Sequence, residues 1–200
     1  MPEKTYIKLA IAVYILVVLV VVLGNSFLCD FDLHTNYTIS RYIGLSTWSA
    51  LLFLMASLAV FYNVLKYVLF LRREHHMNKI WSIVSILTVS ALIGVGIFPV
   101  GYFDQTFGDF GVVSTLHRSF ACAMFCLSIP MIFLTTLHFR HEKRFLIPST
   151  IFVVYGLFFV FCYHFQLQFF MNSILFFESA FLAYFLSLLL IIPVKESKTK

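Results

Sequence analysis

The sequence predicts an all-α fold: one bundle of six transmembrane helices, with the N and C termini both in the cytoplasm. Three observations carry this reading. The chain is 61% hydrophobic and only 12% charged, with a mean hydropathy of +0.95, whereas about a quarter of the residues in a soluble domain are charged. Apolar windows of the roughly 20 residues needed to cross a bilayer recur six times. Of the 14 lysines and arginines, all except Arg41 and Arg118 fall in or toward alternate loops or at the termini, the arrangement expected when basic loops stay in the cytoplasm. A five- or seven-span reading breaks that alternation. The 200 residues leave no room for a further domain, so 1–200 is expected to be a single transmembrane unit.

The six windows run over 6–23, 43–71, 80–100, 114–137, 145–163 and 170–192. The first follows Lys4 and Lys8 and is closed by Gly24 and Asn25. Its charged start imitates a secretory leader, but "VVVLGNSFLC" has neither a small-x-small cleavage site nor a lipoprotein processing box, so it reads as a retained helix. Arg72 and Arg73 follow the second window, and Pro99-Val100-Gly101 ends the third. Ser114 or Thr115 suits the N-cap of the fourth. Pro148 suits the first turn of the fifth, and Pro193 closes the sixth. The phenylalanine-rich last two windows suit lipid and a second subunit equally well, so homo-oligomers are compatible with the pattern.

Several function classes are excluded. The net charge of +5 is spread over short runs between apolar stretches, so no nucleic-acid footprint forms. "GVGIFPVG" is a span that ends at proline, not a phosphate-binding turn between strand and helix. Cys122 and Cys126 lie one helical turn apart in an apolar span and suit packing. Cys29 and Cys162 fall near the same surface, where both the bonded and the free state are open. Asn36-Tyr37-Thr38 matches a glycosylation sequon, which has meaning only in a eukaryotic secretory pathway.

Polar chemistry collects on the outward side. The first outer segment carries His34 and Arg41; the second carries Asp104, Asp109, His117 and Arg118; the third carries His164. Glu178 is about eight residues into the sixth window, roughly 12 Å below its outer end at 1.5 Å per residue. A carboxyl at that depth needs protonation, a partner or a wet cavity, and so marks a functional position. The expected arrangement is an outward-open pocket in which His117 and Arg118 face Glu178. Beside it stands a plainer reading, with Arg118 reaching to the headgroups, His117 hydrogen-bonded at the interface and Glu178 a neutral acid bonded to a neighbouring helix.

Two stretches carry a family likeness. "ISRYIGLSTWSALLFLMASL", and "GIFPVGYFD" followed by "STLHRSFACAMF", resemble the bacterial and archaeal six-span membrane proteins grouped as domain of unknown function 998. The specific part is Gly96, Phe98 and Pro99 with His117 at the head of the next span; Ser46, Trp48 and Ser49 add to it. The resemblance implies a compact six-helix bundle in a cell membrane, the bacterial inner membrane, and no established reaction. The expected function is binding or sensing of a lipid headgroup or small polar ligand, with membrane lipids as partners and no cofactor. The alternative is a metal-dependent intramembrane hydrolase, in which His34, His117 and His164 with outward aspartates hold zinc. Haem ligation and ion conduction are the remaining classes. Most histidines lie in loops or at helix ends, and one deep acid makes a sparse ion path.

Overall fold

A computed structural model describes residues 4–28, 43, 46–98 and 111–193. The described residues form helices and no strands. The long helices are α1 (Lys4–Leu28), α2 (Thr47–Glu74), α3 (Lys79–Ile97), α4 (Gly111–His138), α5 (Lys143–His164) and α6 (Ile174–Ile191), with a single-turn helix at Gln168–Met171 before α6. All six long helices have the length and composition to cross a membrane. Each packs on its neighbour in sequence, and α6 returns to α1, so the bundle is a closed up-and-down ring. The chain is therefore a multi-pass, all-α membrane protein. The turns at 75–78 and 139–142 share one end with the start of α1, and this end carries Lys4, Arg72, Arg73, Lys79, Arg140 and Lys143. The opposite end is called the far end below.

The surface of the ring is greasy. Leu16, Met55, Ile147 and Val154 are among many large apolar side chains that point outward, as lipid-facing side chains do. Hydroxyls inside the spans are satisfied locally: Thr88 donates to the Val84 carbonyl at 2.8 Å, Thr136 to Ile132 at 2.8 Å and Ser149 to Phe145 at 2.7 Å. Each returns to the preceding turn of its own helix, so these three hydroxyls carry a partner into the span.

The phenylalanines of the last two spans divide between two environments. Phe152, Phe159, Phe181 and Phe185 are buried, whereas Phe158, Phe161 and Phe176 face outward. Phe181 is the hub of the buried set, with ring centroids 4.9 Å from Phe125 and Phe152 and 5.1 Å from Phe159. It stitches α6 to α4 and α5. Gly156 lets α5 approach: a Cβ there would lie 2.7 Å from Ile129 Cγ1, well inside ordinary carbon contact.

Several helix limits differ from the expected ones, each for a local reason. The first helix does not stop at Gly24-Asn25 but continues to Leu28. Asn25 Nδ2 donates to the Val21 carbonyl at 2.9 Å, and a Cβ on Gly24 would lie 2.8 Å from the Trp48 ring, so these residues serve packing between α1 and α2 rather than termination. The fourth helix begins at Gly111, so neither Ser114 nor Thr115 caps it. The fifth begins at Lys143 and places Pro148 beyond the first turn, where its carbonyl accepts from the Tyr184 hydroxyl at 2.8 Å. The sixth window is broken at Asn172-Ser173, and the long helix starts only at Ile174.

Candidate functional site

At the far end of the ring, α4 and α6 bring an imidazole and a carboxyl to one hollow. His117 lies six residues into α4, about 9 Å from its start, and Glu178 four residues into α6, about 6 Å from its start. Glu178 is thus shallower than the 12 Å expected, because the break at Asn172-Ser173 moves the helix start closer to it. Both residues line a hollow of about 430 Å³, counted together with the part open to the surroundings. The remaining wall is mostly apolar, including Phe53, Leu92, Val95 and Met124, and among the described residues it holds no lysine or arginine.

His117 is buried, and its Nδ1 lies 2.6 Å from the Phe98 carbonyl. A carbonyl oxygen can only accept, so Nδ1 donates to it. The bond ties the start of α4 to the end of α3. Phe98 also stacks on Phe120, with centroids 5.9 Å apart and planes 5° from parallel. Gly94 leaves the room that Phe120 occupies. Gly96 meets α2, where a Cβ would lie 2.9 Å from Ser57 Oγ. Gly96, Phe98 and His117 therefore form one clasp between α2, α3 and α4.

A second clasp joins α1 to α2. Ser46 Oγ donates to Asn25 Oδ1 at 3.2 Å and lies 2.7 Å from Ser49 Oγ, while Ser49 Oγ reaches the Ile43 carbonyl at 2.7 Å. Ser46 and Ser49, with Gly96, Phe98 and His117, are thus the fastenings of the far end.

Arg118 does not share the hollow. It is exposed, because successive residues on a helix diverge by about 100° and only one of an adjacent pair can face inward. Arg118 stands on the outer flank of α4. His164 is exposed at the end of α5 and does not line the hollow. His34, Arg41, Asp104 and Asp109 lie outside the described residues, as do Cys29 and Asn36 of the open disulfide and sequon readings. Cys162 is buried. His117 and His164 are not brought to one wall, and among the described residues no three His, Cys, Asp or Glu side chains gather as metal ligands.

Tyr14 is the residue that sequence reasoning missed. It sits in the middle of α1, buried, and lines this hollow and two adjoining ones deeper in the ring. Its hydroxyl is buried with no hydrogen-bond partner among the described residues. A single tyrosine within "AIAVYILVVL" was the available signal. The adjoining hollow of about 480 Å³ is lined by Tyr14, Thr88 and Ser128 among apolar side chains. Together they offer a small polar station, His117, Glu178 and Tyr14, above an apolar interior.

No family model, curated protein or solved structure matches this chain.

Proposed function

We propose that this multi-pass membrane protein binds a small polar group, the head of a membrane lipid or a polar solute, in the hollow at its far end. The observation that supports this most is that His117 of α4 and Glu178 of α6 line one hollow. A carboxyl and an imidazole on the wall of an otherwise mostly apolar hollow suit a ligand that is small and polar. The basic loops assign the opposite end to the cytoplasm, so the hollow faces outward. On this reading the protein resides in the cytoplasmic membrane, as a bacterial six-span protein of the family its clasp residues resemble, and membrane lipids are its partners.

The test is purification in native lipid followed by mass spectrometry of retained small molecules. The wild type is expected to hold a polar or amphiphilic molecule that Glu178→Gln and His117→Ala lose. A hollow that holds nothing, or that holds the same molecule equally well in both variants, contradicts the proposal.

A further inference from the structure

The hollow has a second side. Ala121, Phe125 and Glu178 line it and also line a separate crevice of about 370 Å³ between α4, α5 and α6. The lips of that crevice are Cys122 and Cys126 on α4 and Tyr163 on α5, all exposed. They lie within spans, so the crevice opens sideways toward lipid rather than along the axis toward water. Among the described residues, Glu178 is the only acidic or basic side chain on its wall.

Arg118, Cys122 and Cys126 are spaced by four and fall along one stripe of α4. Arg118 is the exposed upper member, and among the described residues no carboxylate lies within 4 Å of it. A cation on the outer flank and a carboxyl on the inner wall present separated charges of opposite sign beside an apolar slot. That pattern complements a zwitterion with a hydrocarbon tail.

We infer that the crevice between α4, α5 and α6 seats an aminophospholipid from the bilayer, its primary ammonium on Glu178, its phosphate toward Arg118 and an acyl chain along Cys122 and Cys126. The inference rests on the proposed headgroup site and adds the lipid class and the route. The charged group on the wall of the crevice is an acceptor, the Glu178 carboxyl. Such a wall selects a head that donates hydrogen bonds. A primary ammonium does so; a trimethylated choline has no N–H. Arginine suits the phosphate through its paired donors.

The experiment is native mass spectrometry of the protein, in a Cys29→Ser background, released from nanodiscs of equal phosphatidylethanolamine, phosphatidylcholine and phosphatidylglycerol. The expected result is at least tenfold more phosphatidylethanolamine adduct than phosphatidylcholine adduct, a preference that Glu178→Gln abolishes while helical content and elution stay unchanged. Alkylation of Cys122 and Cys126 with benzyl maleimide is expected to remove the adduct. Equal retention of all three lipids by the wild type overturns the inference. If the adduct needs Glu178 yet survives alkylation, the sideways seat falls and the headgroup site stands. If the wild type retains no lipid, and no other polar molecule in native lipid, both fall.

Discussion

Replacing Thr135 by valine keeps the shape of the inner face of α4 and removes the acceptor of a buried indole. Trp81 is 1% exposed, and its Nε1 donates to Thr135 Oγ1 at 2.8 Å, while that hydroxyl donates to the Met131 carbonyl at 2.7 Å. The loss at Met131 is small, since its carbonyl belongs to the helix ladder. The loss at Trp81 is larger: an orphaned buried donor costs about 1–3 kcal/mol. Interhelical hydrogen bonds in membranes average about 0.6 kcal/mol and reach about 1.7, because the separated helices find other partners. Near-complete burial of Trp81 places this one toward the upper end, about 1–1.5 kcal/mol, or roughly tenfold in the folding equilibrium.

A double-mutant cycle isolates this bond. Trp81→Phe removes the donor, so Thr135→Val should cost little in that background, and the coupling should equal the cost in the wild-type background. The assay is unfolding in mixed micelles titrated with denaturing detergent. It is read by the fluorescence of Trp48, which every variant of the cycle retains. A coupling below about 0.3 kcal/mol, within the usual additivity of independent sites, refutes the pairing of α3 with α4 at this register.

Other outcomes follow from the same packing. Gly94→Leu drives a branched side chain into the Phe120 ring; it should lower the thermal midpoint by several degrees and displace the clasp between Phe98 and His117, whereas Leu137→Ala, on an exposed position of α4, should leave the midpoint nearly unchanged. Asn25→Leu removes both the Val21 bond and the acceptor of Ser46; proteolysis should reach the α1–α2 connection faster, and an unchanged cleavage rate contradicts the fastening role. Reporter fusions at either terminus should both read cytoplasmic, and a split result contradicts the six-span orientation.

The number of spans was legible because each of the six apolar windows is long enough to cross by itself, and the basic residues mark their alternation. The helix ends were less legible. Gly24-Asn25 has the chemistry of a stop, yet the helix passes through because Trp48, 24 positions later, needs the space and Asn25 bonds back within its own helix. A propensity cannot encode a partner that arrives only on folding. At the candidate site, His117 and Glu178 stood out as ionisable groups in apolar surroundings and proved to share a wall. Adjacency in sequence joined Arg118 to His117, but helical geometry separates them. Tyr14 was hidden, because a phenol in an apolar run acquires meaning only when α2, α3, α4 and α6 close around it.

The account turns on whether His117 and Glu178 face each other across one space. Short bifunctional thiol reagents, applied to H117C together with E178C in a protein whose four native cysteines are serine, measure this most directly. The account predicts rapid intramolecular linkage of the two positions by a water-soluble reagent. Labelling of each cysteine alone without linkage, however long the exposure, would place them in separate compartments and contradict it.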